Sequence, residues 1–375
     1  MHDLSDIVGQ PNAIDRLCRA MTGERMPHAF IFAGPVGVGR RTTALALAKT
    51  LLCANVRAQG GIVRPCGTCD DCRMMDALTH PDFHLVYKEL AAYHEDSNVR
   101  SRVMQELGIE VIKSFLIAPA YRGATRGRGK VFVIREAELM SQAAQNSLLK
   151  TLEEPPPGVT IVLLCESPDQ LLPTTLSRCS LIRFGPLPRQ FVADQLAARQ
   201  VDQTEAQFWA GFADGSIGQA LRLHEQGMYE IKRRVLDGLA SLSPAGDGEL
   251  ADYLRETAEQ LAGVSVKASR KADGAEMSKA LATRQATSAM LEIIASTYRD
   301  ALRLSVGNPR SDTRLIHADQ IDAIAALAAR LDATTIAEIV EQLSSYEQLL
   351  WRNVNPKVVW DNVVISCASG APLDL

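Results

Sequence analysis

Apolar positions in the first half of the chain fall into two kinds of run. Short, nearly unbroken ones, His28–Ala33, the stretch ending at Val86, Lys130–Ile134 and Thr160–Cys165, are rich in Ile, Val and Phe and predict buried strands of a parallel sheet. Between them, apolar residues recur at helical spacing over Ala13–Met21, Ala44–Leu52, Ile109–Leu116 and Ser141–Glu153, the last stopped by Pro155-Pro156-Pro157. Strand and helix alternate, so an α/β fold follows. Beyond Phe184–Pro188 the strand pattern ends. Residues 190–226 read as wholly helical, and helical patterns dominate from Tyr229 onward. A polar, charged stretch at 269–275 reads as a linker or exposed loop, and 371–375 as a frayed end. Residues 89–106 read as a loop with a short helix and show no chemistry of their own.

The first predicted strand runs into Gly34-Pro-Val-Gly37-Val-Gly39-Arg40-Arg41-Thr42-Thr43, and a helix follows. Glycines in that setting let backbone N–H groups converge on phosphate oxygens at the positive end of a helix. A phosphate loop of this kind requires Lys and then Ser or Thr after its last glycine, and this chain has Arg40 and Arg41 there. A guanidinium attracts phosphate but does not reproduce a compact ammonium. Thr42 is one residue late, about 100° around the helix, and so is badly placed for Mg²⁺. The strand Lys130–Ile134 repeats the pattern. It ends in Arg135-Glu136 where a working ATPase carries a metal-binding Asp followed by an acid, so only Glu136 survives.

Eight cysteines are present, and Cys53, Cys66, Cys69 and Cys72 form a C-x₁₂-C-x₂-C-x₂-C cluster. Two Cys-x-x-Cys steps bring thiolates to one ion, and four sulfurs suit a closed, structural tetrahedral Zn²⁺ site. An iron–sulfur cluster is the competing occupant. His80 and His84 lie nearby but are not needed as ligands. Cys18, Cys165, Cys179 and Cys367 are isolated and read as buried packing. The formal net charge of −4 offers no broad cationic field for nucleic acid, which leaves only the local group Arg122, Arg126, Arg128 and Lys130. With 46% hydrophobic residues, a polar acidic start and no long apolar run, the composition predicts a cytoplasmic protein.

Two further stretches carry a resemblance. Asn146-Ser-Leu-Leu-Lys-Thr-Leu-Glu-Glu-Pro-Pro156, followed by Leu176-Ser-Arg-Cys179, resembles the bacterial clamp-loader subunits of DNA polymerase III, which are AAA+ proteins. The resemblance implies a P-loop domain over 1–185 with a zinc module at about 53–72, a small helical lid over 186–228, and an all-helical oligomerising collar over 229–375. It places Ile7–Gln10 beside any nucleotide and makes Arg178 an arginine finger inserted into a neighbouring subunit's ATP site. In that family the gamma/tau motor subunits carry Gly-Ser-x-Arg-x-Ala-Leu where this chain has Gly215-Ser-Ile-Gly218-Gln-Ala-Leu221. The delta-prime branch tends to lack the loop lysine, the metal aspartate and this sensor arginine while keeping Ser-Arg-Cys, and the chain is similar to that branch.

The implied role is a non-hydrolysing subunit, with ATP binding in doubt. It would work with gamma/tau and delta subunits to place a sliding clamp on primed DNA. Two alternatives stand beside it: an active gamma/tau-like ATPase in which Arg40 replaces lysine, and a zinc-stabilised nucleic-acid-binding scaffold.

Overall fold

A computed structural model of the chain describes residues 3–23, 26–59, 62–100, 106–243, 248–272, 278–307, 315–351 and 354–369. Part of the stretch at 89–106, the last three residues of the expected linker at 269–275 and the expected frayed end therefore lie outside the described residues, as does the side chain of Trp351, whereas the first four linker residues continue the helix Gly248–Ala272. The chain divides into two compact units. One comprises Met1–Phe191 with Gly215–Gly218; the other comprises Val192–Asp214 with Gln219–Leu375.

The first unit is built on strands β1 (Ala29–Ala33), β4 (Phe83–Val86), β5 (Lys130–Ile134), β6 (Val159–Cys165) and β7 (Ser180–Arg183). A separate antiparallel hairpin, β2 (Arg57–Gln59) and β3 (Ile62–Arg64), lies in the cysteine segment. The five-stranded sheet has the order β4-β5-β6-β1-β7, parallel throughout, with Ile31 beside both Leu163 and Leu181, and Phe132 beside Ile161. Side chains alternate between its faces. Ile31, Phe132, Ile134, Ile161 and Leu163 join one core cluster, whereas Phe30, Phe32, Val131, Val133, Val162 and Leu164 join the other. Both faces are covered, which is why these strands read as unbroken apolar runs.

Helix α1 (Pro11–Thr22) begins on a proline, whose fixed φ suits a first helical turn. Leu17 from α1 and Leu47 from α2 (Arg40–Leu52) pack on the face that carries Phe30 and Phe32. The helix expected over Ile109–Leu116 runs to Ala120 with a widened π turn at Lys113–Ile117. Residues 190–226 are not one helix. They break into Arg189–Ala197, Gln203–Phe212 and Ile217–Glu225, the second capped by Asp202, whose side chain accepts from Thr204 and Glu205 N–H.

The second unit is helical, with Trp209, Tyr298 and Trp360 among its largest buried side chains. Trp360 and Val363, on the last described helix, Pro356–Ser369, lie inside this unit's own core. Lys232 is wholly buried and forms a 2.5 Å ion pair with Asp319; its ammonium sits 4.4 Å from the centre of the Phe208 ring. Removing one partner of such a pair typically costs about 3–5 kcal/mol, because the other charge is left unmatched. No helix among the described residues is long and apolar enough to cross a membrane.

Candidate functional site

The glycine-rich loop leaves β1 at Gly34 and enters α2 at Arg40. Gly34 has φ +151°, and a Cβ there would lie 2.2 Å from the Phe184 carbonyl oxygen. Gly37 has φ +78°, and its Cβ would meet Ser216 Oγ at 2.2 Å and Gly218 N at 2.9 Å. The turn carrying Ser216 and Gly218 therefore lies directly on the phosphate loop. The Gly218 N–H donates to the Gly37 carbonyl at 3.3 Å. The position that holds a sensor arginine in motor subunits thus holds a residue whose own backbone lies against the loop. Gly39, at φ +103°, precedes α2 and has open space where a Cβ would point. Gln10, almost fully buried, ties the other side: its amide donates to Val38 O at 3.1 Å and Gly185 O at 2.7 Å, and accepts from Gly185 N.

Arg40 stands at the lysine position, partly buried. Burial pulls its pKa down, against the pull of Glu138, Glu166 and Cys165 around it. Burial pushes the Glu138 carboxyl up, although that carboxyl accepts the Glu166 N–H at 3.1 Å and has Arg40 nearby. The Cys165 thiol is pushed up to about 11 by the same burial and by Glu138. Arg40 therefore has two carboxylates as its charged neighbours. Arg41 is exposed, Thr42 is half-buried, and the Thr43 hydroxyl donates to Gly39 O at 2.9 Å. At the end of β5, Arg135 lies 5.5 Å from the Tyr87 ring centre, and Glu136, at φ +49°, is 4.0 Å from Lys88 Nζ.

Arg178 follows the short helix Pro173–Leu176 and is 29% exposed. Its Nε donates to Glu153 Oε1 at 2.7 Å, and one terminal nitrogen shares the same oxygen. The other terminal nitrogen donates to Thr174 O at 2.8 Å and Ser177 Oγ at 3.2 Å. Glu153 closes the helix Gln142–Glu153, where the helix dipole favours a cation. Buried Gln145 of that helix accepts from Leu172 N at 2.8 Å and from the Thr175 hydroxyl.

Cys53, Cys66, Cys69 and Cys72 converge, their sulfurs all within 4.8 Å of one another. Cys53 lies just past α2, and Cys69 caps helix α3 (Asp70–Asp76). Backbone N–H groups of Cys66, Cys69 and Cys72 each point at the sulfur of the preceding cluster cysteine, at 3.2–3.4 Å. The N–H groups of Thr68 and Cys69 hold the Cys66 thiol down at about 5. The arrangement can hold a metal ion.

Charged contacts seat this module. Lys49 pairs with Asp76 at 2.7 Å, and buried Asp71 takes Arg126 Nε at 2.8 Å and faces His80 at 3.4 Å. Asp82, fully buried, accepts from Thr125 and Arg126 N–H. Arg128 donates to Cys53 O, and Lys130 to Pro119 O at 2.8 Å. Three members of the basic group thus have contacts within the protein. His84 stacks on Phe132 with 4.7 Å between ring centres.

The family profile described as DNA polymerase III, delta subunit matches residues 9–188, and the profile for the C terminal part of that subunit matches residues 254–367. The chain belongs to the DNA polymerase III delta-subunit family. The DNA polymerase III subunit delta' of Bacillus subtilis is 25% identical over 96% of this chain and 97% of its own length. The Pseudomonas aeruginosa subunit delta' is 34% identical over 57% of this chain and 61% of that protein. The Escherichia coli subunit tau is 32% identical over 59% of this chain, which spans about a third of that longer protein (32%).

Within this chain, Gly34, Gly37, Gly39, Arg40, Arg41 and Thr42 lie together at the loop, with Glu136 at the end of β5 and Arg178 apart on the loop that follows Pro173–Leu176. Sequence reasoning passed over Glu138, Glu166, Gln145 and Glu153. The Glu-Glu before the proline run was quoted in the motif, but nothing in its spacing says that its first member meets Arg178.

Proposed function

We propose that this protein is the non-hydrolysing, delta-prime-type subunit of the DNA polymerase III clamp loader, and that it lends Arg178 to the ATP site of an adjacent gamma/tau motor subunit. Its own triphosphate site is silent. The observation that supports this reading is the Gly218 backbone seated on Gly37, where a sensor arginine is missing, together with Arg40 in the lysine position among Glu138 and Glu166. In the neighbour's site, water attacks the γ-phosphorus and the bond to the bridging oxygen breaks, releasing ADP and phosphate. A guanidinium there stabilises the charge spread over the phosphoryl oxygens. Hydrolysis then requires contact with this chain. That coupling would let the loader, working with its delta subunit, open a sliding clamp and leave it on primed DNA.

Zinc is the proposed occupant of the cysteine cluster. Zn–S bonds of about 2.3 Å in a tetrahedron give sulfur–sulfur edges of about 3.8 Å. The cluster has Cys53–Cys69 at 3.9 Å and Cys66–Cys72 at 4.0 Å, and four thiolates leave no open position for water. The ion would tie α2, the β2–β3 hairpin and α3 together in a structural role. The lid over 186–228 and the collar over 229–375 remain proposed as the other two functional segments, and the cytoplasm as the compartment.

Reconstitution tests the central claim. The protein is co-purified with gamma/tau and delta subunits, and Arg178→Ala is compared with the parent in single-turnover ATP hydrolysis. Turnover at the facing site is expected to fall by about a thousandfold, so that steady-state hydrolysis drops to what the other motor sites sustain. An Arg178→Ala loader that assembles and hydrolyses ATP at an unchanged rate in single turnover refutes the reading.

A further inference from the structure

We propose that Glu153 is a positioning residue for Arg178, a brace that presents the guanidinium rather than a lock that withholds it. The inference rests on the trans-acting role given to Arg178 above. A guanidinium carries five N–H donors in a rigid fork. One side of this fork is engaged: Nε and one terminal nitrogen converge on Glu153 Oε1, and the other terminal nitrogen reaches Thr174 O and Ser177 Oγ. Those contacts use at most four donors. At least one N–H on the outer end of the fork is left over, on a side chain that is 29% exposed. A lock would engage that outer end. This arrangement leaves it open.

The frame behind the brace is rigid. Glu153 ends the helix Gln142–Glu153, whose Ala144, Leu148 and Leu152 are buried in the sheet's core. The same helix, through Gln145, holds Leu172 N–H and the Thr175 hydroxyl at the base of the loop that carries Arg178. One helix thus fixes both where the arginine's backbone sits and which way its fork turns. A long side chain otherwise samples many rotamers, and holding one before the partner arrives removes that ordering cost from the catalytic step. The role belongs to the acceptor oxygen, and the charge is secondary.

The test uses the reconstituted loader with Glu153→Ala, Glu153→Gln and Arg178→Ala. Glu153→Ala is expected to lower single-turnover hydrolysis at the facing site by about 10- to 100-fold, the scale of a misplacement of about 1 Å. Loader assembly and the KM for ATP should not change. Glu153→Gln keeps an acceptor oxygen for Nε and should stay within about threefold of the parent. A normal or faster Glu153→Ala loader, with Arg178→Ala still slow, overturns the brace and leaves the functional reading standing. Equal slowing by Glu153→Gln also overturns the brace, because it assigns the effect to charge. A normal Arg178→Ala loader overturns both.

Discussion

In the phosphate-loop region two glycines meet backbone to backbone, which makes Gly218 a sharp place to perturb the chain. A Cβ built on Gly218 would lie 2.9 Å from Gly37 Cα and 3.8 Å from Gly37 O. Carbon atoms in good contact sit about 3.5–4.0 Å apart, so the turn and the loop must separate by roughly 0.6–1 Å. Neither side has a flexible side chain to yield, since both close atoms are backbone. The 3.3 Å hydrogen bond from Gly218 N to Gly37 O stretches with that movement. Overpacking of this kind costs about 1–3 kcal/mol.

At about 2–4 °C per kcal/mol for units of this size, Gly218→Ala should melt roughly 2–12 °C below the parent in differential scanning calorimetry. Gly218→Arg restores the residue type of the motor subunits and should be no milder. It should also release no phosphate from ATP, because Arg40 and Arg135 still stand where a working ATPase carries its lysine and its metal-binding aspartate. An unchanged melting temperature for Gly218→Ala would show that the close approach is not a constraint. Phosphate release by Gly218→Arg would show that the missing arginine alone had silenced the site.

The other predictions concern the cysteine cluster and the second unit. The purified protein is expected to contain one zinc per chain by elemental analysis. Cys66→Ser, or a strong chelator, should remove the metal and lower the melting temperature, and a full-length protein with no bound metal refutes the assignment. In the second unit, His317 is fully buried. Burial, and Lys232 beside it, push its pKa from the ordinary 6.5 down to about 3, while Ser296 Oγ lies 2.8 Å from Nε2. The folded state holds it neutral and the unfolded state protonates near pH 6.5, so its contribution is complete above that pH. Below pH 6.5 it is lost at up to about 1.4 kcal/mol per pH unit as pH falls towards 3. Denaturant titrations across pH 4–7 should show this slope in the parent and a flatter one in His317→Gln; equal slopes refute the assignment.

How much of this was legible in the sequence follows from what each element depends on. Strands buried on both faces announce themselves, as Ala29–Ala33 and Lys130–Ile134 do, because their interior positions must be apolar. Edge strand β7 was not seen, because Ser180-Leu-Ile-Arg183 has only one buried residue, Ile182. The hairpin β2–β3 was equally silent, its three-residue strands being too short for a period to register. The four cysteines were readable because metal spacing is local. Asp71 and Asp82, which anchor that module to Arg126 and Thr125, were not, because their partners lie more than forty residues away. The substitutions at 40, 135 and 218 were readable as departures from a pattern. That the third needs a glycine for steric reasons emerges only when Gly37 and Gly218 are seen side by side.

Those departures also explain one another. A phosphate loop that lost its lysine alone would be left with converging N–H groups and no anion. Here the loop is held from both sides by the protein's own groups: Gln10 grips Val38 O and Gly185, and the Gly218 N–H meets Gly37 O. Arg40 has the carboxylates of Glu138 and Glu166 near it. Each replacement removes one reason for the loop to change shape when nucleotide comes or goes. Arg178 differs, since its contacts with Glu153, Thr174 and Ser177 leave the outer end of its fork open. A fixed loop on one side and a presented cation on the other is the combination that the proposed action on a neighbour's triphosphate requires.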